Sequence, residues 1–228
     1  MISLGIETSG RAGSVALAVD GVLVGERDLA ASGRRHARTL VPEVRELLAS
    51  QGLAARDVNL VAVSIGPGSF TGLRVGVVCA KTLAYAVGCP IVGVDTFLAV
   101  AAAQSDLGRV WVIDDALRGD VFAGEYARVD GRWKCEQTPR LIPVSDWRAL
   151  LAADAVVTGP GIATLAADLD GMILGAAEFR IPHARQVVAL GDMLASEGRL
   201  DDPWTLSPFY MRRSAAEEKA DQAGATAS

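Results

Sequence analysis

Leu60-Val61-Ala62-Val63-Ser64-Ile65-Gly66-Pro67-Gly68-Ser69-Phe70-Thr71-Gly72-Leu73 is the stretch that decides how the chain is read. Its first six residues predict a buried strand, its glycines and proline force a turn, and Leu73 to Val87 continues as a helix ended by Cys89-Pro90. A strand feeding a helix through such a turn is a building block of an α/β lobe. Upstream, Ile2 to Thr8, Ser14 to Val19 and Val22 to Leu29 read as strands; Asp20-Gly21 joins the last two because both positions tolerate positive φ. From Leu40 to Leu53, Leu40, Val41, Val44, Leu47 and Leu48 recur at helical spacing around Glu43, Arg45 and Glu46. The helix start is open: with Thr39 as N-cap Pro42 lies in the first turn, and with a start nearer His36 it lies inside. Ile91 to Val94 is a further strand, and Thr96 to Ala103 a short helix capped by Asp95 or Thr96, so the order is βββαβαβα.

The pattern then restarts. Val110 to Ile113, Val121 to Val129 and Arg132 to Cys135 predict three strands, with Asp130-Gly131 as the second hairpin turn. Ser145 to Leu151 reads as a helix capped by Ser145, Ala155 to Thr158 as a strand ending in Gly159-Pro160-Gly161, and Ile162 to Leu169 and Pro182 to Glu197 as helices. The matched hairpins and Gly-Pro-Gly turns predict two similar lobes, 1–105 and 106–213, each a mixed sheet with helices. Residues 214–228 contain no large apolar side chain, which predicts a disordered tail.

Half of the 228 residues are apolar, enough for a substantial core. A net charge of −5 argues against tight unaided binding to a phosphate backbone. Cys79, Cys89 and Cys135 have neither paired nor metal-finger spacing and read as reduced thiols. The amino terminus lacks a basic leader before Glu7, and runs such as Leu98 to Ala103 fall short of the roughly 20 residues that span a bilayer. The expectation is a cytoplasmic protein without a membrane anchor.

Several residues are candidates for chemistry. The turn at Gly66, Gly68 and Ser69 offers backbone N–H groups and a helix dipole to an anion; in the alternative it is a tight turn in which Ser69 or Thr71 caps the helix. Glu7-Thr8-Ser9 ends the first strand and Asp114-Asp115 the matching strand of the second lobe. Acidic groups facing each other across a cleft suit a metal-bound nucleotide, which makes Glu7, Thr8, Ser9 and Asp115 candidate nucleotide-binding residues together with the glycine turn. His36 and His183 are far apart and lack neighbouring ligands, and no serine lies in a Gly-x-Ser-x-Gly elbow, so neither a metal site nor a catalytic set is read. Gly72, Gly76, Ala80 and Ala84 form a stripe without bulk, flanked by Arg74 and Lys81, for the backbone of a helix of the same chain or of a second subunit. The helix pair 37–51 and 70–87 carries more apolar or small surface than one lobe needs, which predicts a partner interface at His36, Leu40, Val44, Leu47, Gly72, Gly76 and Ala80.

Ile6-Glu7-Thr8-Ser9, Ser14-Val15-Ala16-Leu17, His36 with Leu40 and Pro42, the run from Gly66 to Gly76, and Pro208-Phe209-Tyr210-Met211-Arg212 together resemble the TsaB (YeaZ) family. The Gly-Pro-Gly-Ser-Phe-Thr-Gly-Leu-Arg run is the specific part. The resemblance implies a two-lobed actin-like (ASKHA, RNase H-like) fold and a complex with the catalytic paralogue TsaD and the ATPase TsaE. TsaD transfers threonylcarbamoyl to an adenosine of tRNA and holds its metal through a His-x-x-x-His pair on the first helix. Here that pair would be His36 and position 40, and Leu40 cannot ligate. The resemblance therefore implies a non-catalytic dimerisation subunit, a homodimer when alone, that meets tRNA only through the complex. It implies no cofactor of its own, with a nucleotide at the subunit interface left open. Glu7 departs from the family's usual aspartate, as the catalytic paralogue does. Asp115-Ala116-Leu117-Arg118-Gly119-Asp120-Val121-Phe122 resembles the family's Asp-Ala-Arg-x-Gly-Glu-Val-Tyr, with Leu117 where its arginine would be. The alternative is a metal- and nucleotide-dependent transferase or ATPase acting by itself through Glu7, Asp115 and the glycine turn.

Overall fold

The computed structural model describes residues 1–29 and 36–212, with backbone only at 36 and 37. The expected tail, 214–228, lies outside the described residues.

The first sheet consists of β1 (Ile2–Glu7), β2 (Ser14–Val19), β3 (Val22–Asp28), β4 (Leu60–Gly66) and β5 (Ile91–Asp95) in the order β3-β2-β1-β4-β5. β1 runs antiparallel to β2 and parallel to β4, and β4 is parallel to β5. The second sheet consists of β6 (Arg109–Leu117), β7 (Asp120–Val129), β8 (Arg132–Pro143), β9 (Val156–Thr158) and β10 (Ile173–Leu174) in the order β10-β9-β6-β7-β8. Read from its antiparallel edge, each sheet places its own strands third, second, first, fourth, fifth. The repeat expected from the hairpins and turns is therefore a repeat of topology, and the chain has the two-lobed actin-like (ASKHA, RNase H-like) α/β fold. Both Asp-Gly turns hold two residues at positive φ, 50° and 77° at Asp20-Gly21 and 54° and 76° at Asp130-Gly131, which matches the right-handed strand twist.

Central strands covered on both faces carry continuous apolar runs rather than alternating ones, and β1 and β4 are buried on both sides. One face carries α1 (His36–Ser50) and α2 (Phe70–Val87), where Leu4, Ile6, Val61 and Val63 meet Leu40, Val44, Leu48, Val77 and Ala80. α1 begins at His36, so Pro42 lies inside it, the second of the two starts the sequence allowed. Ser69 caps α2 by accepting from the Gly72 amide at 3.3 Å, and Gly88 ends it in the left-handed conformation.

The opposite face carries α5 (Ala184–Ser196), which the division at residue 105 assigned to the second lobe. It packs on the first sheet instead, because Gly5, Ala16, Ala18 and Ala62 leave a seat without bulk there. A Cβ at Gly5 would stand 2.6 Å from the Ala184 carbonyl oxygen. α3 (Thr96–Ala102) lies between the lobes; Asp95 caps it by accepting from the amides of Phe97 and Leu98, and Phe97, Val100 and Ala101 pack against Val110, Val112, Tyr126 and Trp133 of the second sheet. α4 (Val144–Leu150) covers the other face of that sheet through Trp147, whose ring meets Trp111 edge to face at 6.4 Å. Ser145 does not cap α4: the helix follows Pro143, and the Ser145 hydroxyl pairs with Asp146. The expected helix Ile162 to Leu169 is two short 3-10 turns, Pro160–Ala163 and Ala166–Leu169.

After α5 the chain returns to the first lobe as an extended strap. Asp201 bridges to Ile91 and accepts from the Gly93 amide at 2.8 Å. Lys81 Nζ donates to the Leu206 carbonyl at 2.9 Å, and the Phe209 amide donates to the Ile65 carbonyl at 2.7 Å.

Candidate functional site

Two concave regions use the elements that the sequence singled out. The first is the cleft between the lobes, a cavity of about 400 Å³. Pro67, Gly68, Phe70 and Thr71 line it from the β4–α2 turn, Asp115, Ala116, Leu117 and Phe122 from the β6–β7 hairpin, and Phe209 to Arg212 from the strap. Three backbone donors of the glycine turn are engaged by the chain itself. The Gly66 amide donates to Thr96 Oγ1 at 3.0 Å, the Ser69 amide to the Ser9 carbonyl at 2.7 Å, and the Gly72 amide to Ser69 Oγ. The turn thus does what its tight-turn reading requires, with Ser69 as the cap.

Of the seven candidate nucleotide residues, only Gly68 and Asp115 line the cleft. Glu7, Thr8 and Ser9 are buried, as is Gly66. Alternation along β1 puts Glu7 on the same side as Gly5, beneath α5, where its carboxylate accepts from the Ser9 amide. Glu7 and Asp115 therefore do not face one another. Asp114 accepts from the Asp115 amide, and burial raises its carboxyl to about 6. Among the described residues no three His, Cys, Asp or Glu side chains converge as a metal-ligand set. The side chain of His36 lies outside the described residues, whereas Leu40, in the position of the second histidine, is 1% exposed and part of the core.

The second region is a groove of about 600 Å³ between α1 and α2. Its floor is Leu40 and Val44, and its walls are Val41, Val75, Val78, Cys79, Leu83 and Ala86, with Arg74 and Thr82 at the edge. Val41 is 64% and Val78 57% exposed, so apolar side chains stand in the open on both helices. α2 carries only Arg74 and Lys81 as charges in 18 residues, and by length and hydropathy it would suffice to cross a bilayer. Here its apolarity is divided between two surfaces: Leu73, Val77 and Ala80 face the first sheet, and Val75, Val78 and Leu83 face the groove.

The structure places the interface residues expected from the sequence as follows. Leu47 is 2% exposed and packs in the core, so it is not an anchor; Leu40 and Val44 form the floor rather than projecting. Gly72 and Gly76 abut Thr8 at the end of β1, and Ala80 is fully buried, so the small-residue stripe receives a strand of the same chain. Val75, Val78, Leu83 and Ala86, which line the groove, are not among the residues that the sequence reading singled out. Their signal was present in the scarcity of charge on the outward side of α2.

A family model described as TsaD: tRNA N6-adenosine threonylcarbamoyltransferase matches residues 30–196. The tRNA threonylcarbamoyladenosine biosynthesis protein TsaB of Escherichia coli (strain K12) is 30% identical over 226 residues, covering 95% of this chain and 96% of that protein. The chain belongs to the TsaB (YeaZ) family. TsaB of Bacillus subtilis (strain 168) is likewise 30% identical over 228 residues, with 96% and 97% covered. YeaZ from Pseudomonas aeruginosa superimposes with a TM-score of 0.78 at 27% identity, covering 92% of this chain and 99% of that one. Similarity to the tRNA N6-adenosine threonylcarbamoyltransferase of Moorella thermoacetica is confined to 67 residues, 51% identical, which are 20% of that enzyme.

Proposed function

We propose that this chain is a non-catalytic docking subunit of tRNA threonylcarbamoyladenosine biosynthesis, which pairs through its α1–α2 face with a TsaD-type catalytic paralogue and with itself when that paralogue is absent. The observation that carries this reading is the apolar groove flanked by exposed Val41 and Val78. A paralogue of the same fold would present an equivalent helix pair, so the two faces can pack about a pseudo-twofold axis. Chemistry then belongs to the paralogue. Leu40 removes half of the histidine pair that the TsaD resemblance requires, and Glu7 lies beneath α5 rather than opposite Asp115. Against a transferase or ATPase acting alone stands the burial of Glu7, which does not line the cleft that Asp115 lines. A TsaE-type ATPase joins the assembled pair, and tRNA is met through the complex, since a net charge of −5 disfavours unaided binding to a phosphate backbone. A nucleotide, if bound, lodges at the subunit interface.

Reconstitution tests this directly. Threonylcarbamoyl transfer to tRNA should require the paralogue, the ATPase and this chain together, whereas the chain alone should give no transfer and only trace ATP hydrolysis. Robust turnover by the isolated chain would sink the reading.

A further inference from the structure

We propose that the strap, through Arg212, is a latch that holds the two lobes at one fixed angle. The argument starts from β7, a strand of the second lobe that is tied to first-lobe segments at two separate places. At Tyr126 the buried hydroxyl donates to Asp95 Oδ2 at 2.5 Å, at the end of β5. At Asp120 the carboxylate pairs with the Arg212 guanidinium at 2.6 Å, and the same guanidinium donates to the Ala116 carbonyl. Six residues of strand separate Asp120 from Tyr126, roughly 20 Å at about 3.3 Å per residue. Around Tyr126 the lobes already meet through α3, whose Phe97, Val100 and Ala101 pack on the second sheet, and that seat is the place about which they could turn. Two attachments that far apart remove the turn.

The strap can bear this role because its own hold is on the first lobe. Its Phe209 amide bonds to Ile65, and the Tyr210 ring lies on Phe70 with centroids 4.6 Å apart. Among the described residues Arg212 is also the most sheltered arginine paired with a carboxylate, with a side-chain exposure of 23%. Charge-assisted bonds at a partly shielded site are stronger and less screened than those at the surface. Because Tyr210 and Arg212 line the interlobe cleft, any opening of that cleft has to release them.

Amide hydrogen exchange of the full chain, read by mass spectrometry on peptides of the β6–β7 hairpin and the β4–α2 turn, tests the latch. Arg212→Ala should speed exchange in both peptides by about tenfold or more, the equivalent of one charge-assisted bond. Exchange in β1 and in the core of β7 should keep its wild-type rate. Asp120→Asn should act in the same direction but less, because Arg212 keeps its bond to the Ala116 carbonyl, and the double variant should be no faster than Arg212→Ala, because that change already removes the Asp120 pair. Should Arg212→Ala not fold, Asp120→Asn and Arg212→Lys interrogate the same link from each side. Unchanged exchange at the hairpin and the turn in these variants overturns the proposal. Acceleration spread evenly over all peptides overturns it too, since the strap would then support general stability rather than the lobe angle.

Discussion

Gly72 of α2 lies directly against the carbonyl oxygen of Thr8 at the end of β1, so close that a Cβ at position 72 would overlap that oxygen. Thr8 Oγ1 in turn donates to the Gly72 carbonyl at 2.8 Å, and Gly76 abuts the same hydroxyl one turn later. The helix reaches the strand end only because both positions lack a side chain.

Gly72→Ala therefore destabilises the fold by about 3 kcal/mol or more, since the obstruction is backbone and cannot rotate away. A circular-dichroism melt should show a loss of roughly 6–12 °C. Gly76→Leu belongs to the same class and reports on folding, not on docking. A melt within one degree of wild type for Gly72→Ala would show that α2 can shift away from β1 at no cost.

Burial raises the Asp114 carboxyl to about 6, and the neighbouring Asp115 carboxylate adds to the effect while the Asp115 amide opposes it. The folded chain then binds this proton more tightly than the unfolded chain, so stability falls as pH rises from about 4 to about 6. Asp114→Asn keeps an oxygen to accept from the Asp115 amide and removes the buried charge. It should stabilise by roughly 1–3 kcal/mol at pH 7, with the gain fading below about pH 4. Urea titrations of both proteins at pH 4 and pH 7 check this. An equal difference at both pH values would mean that the carboxyl is hydrated in the folded chain.

Tyr126→Phe removes the hydroxyl that donates from the second lobe to part-buried Asp95 Oδ2 while leaving the ring packed. The carboxylate keeps its amides from Phe97 and Leu98, so α3 should stay capped. The expected loss is about 1–3 kcal/mol in chemical denaturation, the usual consequence of taking a hydrogen bond from a buried charged group. An unchanged midpoint would show that solvent replaces the tyrosine there.

Much of the fold was legible because its signals are local. Asp20-Gly21 and Asp130-Gly131 announce hairpins by their tolerance of positive φ, and Ser69 and Asp95 stand where caps are needed. The position of α5 was not legible, since periodicity shows that a helix has an apolar face but not which sheet receives it. The only trace was the run of small residues at Gly5, Ala16, Ala18 and Ala62 on strands far away in sequence.

The site followed the same rule. Small residues every fourth position on α2 do predict a close approach, yet they are silent on whether a helix of a partner or the end of β1 makes it. Glu7 at a strand end reads as a cleft acid until strand alternation turns it under α5. Leu40, Val44 and Leu47 have the spacing of an apolar stripe, and the sheet beneath claims them, while the neighbours Val41 and Val78 stand exposed.

Val78 offers the most direct measurement of the docking claim, because it is 57% exposed on the groove wall and a charge there stays in water in the isolated chain. Titration calorimetry of the Val78→Asp chain against the TsaD-type paralogue, with a melt to confirm the fold, reads it out. The account predicts stability within about 0.5 kcal/mol of wild type and an affinity lowered by roughly 100-fold or more, as expected for a charge placed in the apolar centre of an interface. A folded Val78→Asp chain that binds the paralogue with wild-type affinity would contradict it and put the interface on another face.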